Sequence, residues 1–174
     1  MGVDTELGKD EKIGYRTINA RVETVDTAAS FRGAFKKRRC LIPADGFYEW
    51  KKVNGGKIPY TIQMKDGSLF AFAGLWEGWK PPENGDWIRT CTIITGEPNQ
   101  LLREIHTRMP VILPQEYYDA WLSGEAGKEI LVPFPADKMT IWPISPRVNS
   151  PKNDDEGILE PVVADVPAAR SSPS

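Results

Sequence analysis

The sequence predicts an α+β fold in which antiparallel strands dominate and helices are few and short. Two observations carry that expectation. Short apolar runs rich in Ile, Val, Thr and aromatic residues recur along the chain, bounded by Gly, Pro, Asn or Asp. Between them lie only brief stretches with helical spacing, among them 31–39, 97–105 and 114–122. At 174 residues the chain is long enough for one domain with a real core. We expect that domain to span 1–162, and the Pro-, Ala- and Ser-rich tail at 163–174 to be disordered.

The elements follow in order. Residues 1–12 are charged and aperiodic. From Ile13 to Val25, strand-like alternation places Asn19, Arg21 and Glu23 on one face, which is either solvated or a polar site. Ser30 is placed to cap a short helix, FRGAFKKRR, with Phe31 and Phe35 turned inward and a cationic end that suits a helix C-terminus. The Lys36-Lys37-Arg38-Arg39 cluster reads as a solvated basic turn or as a place for phosphates. Cys40–Pro43 and Phe47–Trp50 then read as a hairpin around Ala44-Asp45-Gly46. Pro59–Met64 and Leu69–Trp76 read as two more strands, joined by a Lys65-Asp66-Gly67 turn. The segment 79–86 is a proline- and glycine-rich loop, and Trp87–Thr95 has the strongest strand pattern. A helix over Glu97–Ile105 delivers the chain into His106, Met109–Leu113 is a short strand, and Pro114 opens a helix where proline is favoured. Gly124–Ile130 adds a helical turn. Met139–Val148 is a last strand, and Pro143 and Pro146 place it at a sheet edge or bulge.

Composition narrows the function. A net charge of −2 argues against a bulk, charge-driven nucleic-acid binder but leaves room for a local basic cleft. Cys40 and Cys91 lie inside strand-like apolar runs and read as buried, reduced thiols, which suits a cytoplasmic protein. No stretch approaches the apolar length of about 18 residues that a membrane span needs. The polar start is not a secretory signal, and Glu6 stands where a myristoylation motif needs Ser or Thr. A single histidine and two scattered cysteines lack metal-ligand spacing, so no metal and no cofactor are expected.

Two side chains carry candidate chemistry. Strand alternation puts Glu49 on one side with Phe47 and Lys51, and Tyr48 and Trp50 on the other. A carboxyl among aromatics tends toward a raised pKa, which suits general acid/base work, and the plain alternative is an edge-strand Glu pointing to water. His106 can exchange a proton near neutrality, or it is structural.

The motifs INAR and ETV at 18–25, RRCLIPADGFYEW at 38–50, FAFAGLWEGW, TCTIIT, HTRMPVIL and VNSPKNDDEGILEP together resemble the SOS-response-associated peptidase (SRAP) family. The resemblance runs in the same order from about Lys9 to Pro161. It implies a curved, barrel-like, mainly antiparallel sheet. It also implies a cytoplasmic, nucleoid-associated protein that senses abasic sites in single-stranded DNA and shields them covalently. In the family, an N-terminal cysteine attacks the ring-opened sugar aldehyde, and the Schiff base closes to a thiazolidine. Carried onto this sequence, the pattern implies that Asn19 positions the amine and the sugar, Glu49 shuttles protons, and His106 assists at the sugar oxygen. Arg21 and Arg108 resemble the family's phosphate-binding arginines. Family members begin Met-Cys-Gly-Arg, whereas Gly2 follows Met1 here. The N-terminal segment with the catalytic cysteine is therefore expected to be missing, with cross-linking impaired and a dimer covering the gap. Cys40 and Cys91 are no substitutes, because the thiazolidine needs the amine and thiol of one terminal residue. The alternatives are a single-stranded-DNA-binding pseudoenzyme, a residual peptidase- or lyase-like activity through Glu49 and His106, and a β-rich protein-interaction module.

Overall fold

The computed structural model describes residues 18–80 and 85–163, except the side chain of Trp79. The expectations for 1–17, for the 81–84 part of the loop and for the tail from 164 lie outside the described residues.

Two sheets form. The larger contains β1 (Asn19–Arg21), β2 (Arg39–Ala44), β5 (Phe70–Trp79) and β6 (Ile88–Gly96) in the order β1-β6-β5-β2. Two short strands, β7 (Met109–Pro110) and β8 (Ile112–Leu113), pair with β6 and β5. The smaller sheet is β3 (Gly46–Val53), β4 (Gly56–Met64) and β9 (Met139–Pro143), in the order β3-β4-β9. Of these pairings, only β1 with β6 is parallel. Helices α1 (Arg32–Lys37) and α2 (Tyr118–Ser123) are short. The α+β class with dominant antiparallel pairing is as expected.

The larger sheet is the middle layer. On one side, Ala20, Ala73, Leu75, Ile94 and Val111 pack with Phe35 of α1 and Trp121 of α2. On the other, Phe70, Phe72, Met109 and Ile112 pack with Ile62 and Met64 of β4 and Met139 of β9. Because strand side chains alternate, a strand covered on both faces reads as a continuous apolar run. Residues 70–75 of β5 are such a run, and all six are buried. Phe47 of β3 meets Phe70 and Phe72 edge-on, with ring centroids 6.3 and 5.6 Å away, which ties the smaller sheet to the larger.

The order of pairing corrects several expectations. Cys40–Pro43 and Phe47–Trp50 are strands, but not partners in a hairpin. β2 pairs with β5 in the larger sheet, while β3 pairs with β4 in the smaller. The chain bends at Asp45 and crosses between layers, and Gly46 permits it: a Cβ there would stand 2.9 Å from Gln63 Cγ and 3.0 Å from the Ile62 carbonyl. The Lys65-Asp66-Gly67 turn likewise leads from one sheet to the other rather than closing a hairpin. It is held by Asp66 Oδ1, which accepts from the amide and hydroxyl of Ser68. The true hairpin is β3–β4, turned at Asn54-Gly55 with Gly55 at φ +94°.

Other differences are local. β1 ends at Arg21, and turns replace the expected strand through Val25. Helix α1 lacks the Ser30 side-chain cap, its N-cap position being Phe31. Glu97–Ile105 is a set of turns, not a helix. Pro98 has no amide to donate, and Asn99 Oδ1 takes the Leu102 amide at 3.0 Å, a side-chain bond that competes with a regular helix. The 114–122 helix starts as a 3-10 turn at Gln115–Tyr117, and within 124–130 only Lys128–Ile130 is helical. β9 stops at Pro143, at the sheet edge as its prolines required, and a 3-10 turn follows at Pro146–Asn149. Cys40 is half-buried, but Cys91 is exposed, on a part of the β5–β6 pair that belongs to neither core; both are free thiols.

The outer face of the smaller sheet is covered by the chain after β9. Trp142 Nε1 donates to the Leu159 carbonyl and Trp50 Nε1 to Asn149 Oδ1, both at 2.8 Å. Thr61 is 1% exposed, and its hydroxyl has no hydrogen-bond partner among the described residues. An orphaned buried hydroxyl costs about 1–3 kcal/mol. Thr61→Val should therefore raise the urea midpoint, by up to about 2 kcal/mol of unfolding free energy; a lower midpoint would contradict this.

Candidate functional site

Segment 106–113 is set by the way β5 and β6 part. The two strands pair from Gly74 with Ile93 out to Trp79 with Ile88. Past the Gly74–Ile93 pair, at the opposite end, they diverge, and residues 109–113 enter between them as a V. Its apex is Val111, whose amide donates to the Ile94 carbonyl and whose carbonyl accepts from the Ala73 amide, both at 2.8 Å. Met109, Val111, Ile112 and Leu113 are at most 3% exposed. The buried V leaves His106, Thr107 and Arg108 at its rim, where His106 and Thr107 are exposed.

Glu49 arrives from the other sheet. It shares a face of β3 with Phe47, which packs into the core between the sheets, and its cross-strand partner is Tyr60. β3 is an edge strand, yet the Glu49 side chain is only 19% exposed. Its Oε2 stands 3.9 Å from His106 Nδ1, too long for a hydrogen bond but close enough for their charges to interact. Burial raises the Glu49 pKa above the ordinary carboxylate range, and the His106 charge and the Trp50 amide partly oppose this. The sequence reading anticipated that direction.

The Arg108 amide lies 3.2 Å and its carbonyl 3.1 Å from His106 Nδ1. Either tautomer is served: Nδ1 accepts from the amide, or its proton goes to the carbonyl. Nε2 makes no hydrogen bond among the described residues, so it is the nitrogen open to a substrate.

The expected arginines and Asn19 lie on β1 and beside it. Ala20 packs against the helical layer, so Asn19 and Arg21, both exposed, point to the side that faces the smaller sheet. Asn19 makes no side-chain hydrogen bond among the described residues. Arg108 is not free. Its Nη1 and Nη2 each donate to a Glu23 carboxylate oxygen at 2.9 Å. Its Nε donates to Thr95 Oγ1 at 3.3 Å and its Nη2 to the Thr95 carbonyl at 2.5 Å. Arg21 pairs in register with Thr95, and its charge reaches Glu23 as well. The structure thus brings Glu49 to His106, and Arg21 and Arg108 to a shared Glu23. It records no contact between Asn19 and the Glu49–His106 pair.

Sequence reasoning missed three residues here: Glu23 and Thr95 as the partners of Arg108, and Asn99, which steadies the turn before His106. Glu23 was already visible as the third polar residue in the Asn19-Arg21-Glu23 alternation. Asn99 was visible as a side chain able to cap its own turn, directly after Pro98.

With this geometry in place, the comparisons are informative. Residues 2–151 match the family described as "SOS response associated peptidase (SRAP)". The chain belongs to the SRAP family. Among relatives, the abasic site processing protein YoqW of Bacillus subtilis is 49% identical over 165 residues, spanning 91% of this chain and 73% of its own. The abasic site processing protein HMCES of Gallus gallus is 34% identical and aligns with 90% of this chain, which spans 53% of that longer protein. A crystal structure of a Bacteroides thetaiotaomicron protein superposes with a TM-score of 0.82 at 32% identity, over 89% of this chain and 71% of that one. The fold described above is thus shared with a solved structure, and the sequence with relatives named for abasic site processing.

Proposed function

We propose that this SRAP chain recognises abasic sites in single-stranded DNA and manages protons at the ring-opened sugar. The supporting observation is the Glu49–His106 pair: a carboxyl with a raised pKa beside an imidazole whose Nε2 is open. In the neutral form Glu49 can give a proton to the sugar ring oxygen as the ring opens, and as a carboxylate it can take one back. His106 serves the same oxygen from the rim. Asn19 hydrogen-bonds the sugar, and Arg21 and Arg108 neutralise flanking phosphates.

In the SRAP family resemblance, capture is covalent, and a thiazolidine needs the α-amine and thiol of a terminal cysteine. Cys40 and Cys91 are internal, and burial pushes the Cys40 thiol up to about 11, so it is not a thiolate at neutral pH. We therefore assign recognition and proton transfer to the residues above, and no covalent role to either cysteine. A second reading, binding without trapping, rests on that same observation.

The test is fluorescence anisotropy with labelled oligonucleotides. The chain should bind abasic single-stranded DNA more tightly than the intact strand or a duplex, and equal affinity for all three would overturn the proposal. The Cys40→Ser/Cys91→Ser double variant should bind unchanged, and any band it gives on denaturing gels should match that of the parent chain. Loss of such a band would return a role to the cysteines.

A further inference from the structure

We infer that Glu23 is an internal competitor for the phosphate site of Arg108, a carboxylate that must leave before the DNA backbone can use that arginine. The inference rests on the phosphate-binding reading of Arg108 and extends it to a residue with no assigned part.

The geometry is that of a phosphate contact. A bidentate carboxylate presents two oxygens to the guanidinium edge in the same fork that two phosphate oxygens would offer. Glu23 does so with both bonds at 2.9 Å, occupying one N–H on each terminal nitrogen. Thr95 takes the Nε proton and the second Nη2 proton. Of five N–H groups, one on Nη1 is left, too few to grip a phosphate by two bonds.

The two partners are held differently. Thr95 belongs to β6 and contacts Arg108 through both its hydroxyl and its carbonyl, so the guanidinium keeps its plane when Glu23 leaves. Glu23 lies just past β1, where the Thr24 amide closes a turn onto the Arg21 carbonyl. Its side chain is 49% exposed and can swing into solvent without disturbing the core. Arg108's hydrogen bonds, with Arg21 adding to them, hold the Glu23 carboxyl below its usual range, so it remains an anion at neutral pH. Arg21, Arg108 and Glu23 together carry one net positive charge; displacing or removing the carboxylate exposes two.

The experiment measures affinity for a labelled abasic single-stranded oligonucleotide, and for its intact counterpart, across a salt series. The variants are Glu23→Gln, Arg108→Ala, the two combined, and Asp154→Asn as a control that removes one exposed negative charge elsewhere. Glu23→Gln should tighten binding by up to roughly fivefold, the upper end of the range expected for releasing an exposed ion pair. It should also steepen the dependence of log K on log salt by about 0.7, the increment for one more phosphate on a single strand. Asp154→Asn should do neither. In the Arg108→Ala background the Glu23→Gln gain should vanish. If Arg108→Ala weakens binding while Glu23→Gln leaves it unchanged or weaker, Glu23 is a positioning partner and the competitor idea fails. A gain that survives in the Arg108→Ala background would be general charge, and would also overturn it. If Arg108→Ala changes nothing with or without Glu23, the phosphate reading beneath the inference is itself wrong.

Discussion

Trp121→Ala should lower the unfolding free energy by about 3–5 kcal/mol, in urea or thermal melts. Against a total of roughly 5–15 kcal/mol for a domain of this kind, that is a large share. Trp121 is fully buried between α2 and the middle sheet. It meets Phe35 edge-on with centroids 5.8 Å apart, and Arg39 stacks over its ring at 4.4 Å. Its Nε1 donates to the Cys40 carbonyl at 3.0 Å, so truncation removes a buried hydrogen bond as well as opening a cavity. Trp121→Phe keeps most of the apolar volume and should recover more than half of the loss. A Trp121→Ala change under about 1 kcal/mol would mean that the helical layer collapses easily onto β2 and β5, against the packing described.

Glu49→Gln should have opposite effects on stability and on chemistry. Burial raises the Glu49 pKa in the folded chain above its unfolded value, so the native state holds the proton more tightly. Stability is then highest below the ordinary carboxylate range and falls as pH rises through the raised pKa, because the native state must carry a half-buried anion. Glutamine removes that penalty. The variant should melt above the parent at neutral pH, and the gap should close on acidification to below the ordinary carboxylate range. A gap independent of pH, or of the reverse sign, would show that His106 compensates the charge fully. In the proposed chemistry the same change should slow the formation of any denaturation-resistant band the chain gives with abasic single-stranded DNA by about 100-fold or more, the scale of a lost general acid/base. Gel-resolved time courses would show it, and an unchanged rate would remove Glu49 from the reaction.

Much of this was legible beforehand, for identifiable reasons. β5 and β6 announced themselves through the buried run from Phe70 to Leu75 and the β-branched pattern of 88–95. Glu49 stood out as a charge among aromatics, and His106 as the single histidine. What the pattern could not show was partnership. Asp45-Gly46 and Asp66-Gly67 are good turn residues, but a turn does not say whether the next strand returns to the same sheet or crosses to another. That depends on which face Phe47, Phe70 and Phe72 bury together, a contact between residues more than twenty positions apart. The 97–105 stretch misled because its apolar spacing suits a helix, while Pro98 and the Asn99 side chain take its first turn elsewhere. Glu23 could not be settled between a solvated face and a polar site because its partner, Arg108, lies 85 residues away.

The Val111 apex has a consequence for how the site fluctuates. Its amide and that of Ala73 are locked in bonds among buried side chains of two central strands, so no small local opening exposes them to exchange with solvent. Deuterium should enter both only when the molecule unfolds as a whole. The imidazole is thus tethered to the slowest-opening part of the chain, and its ring can reorient while its point of attachment stays still.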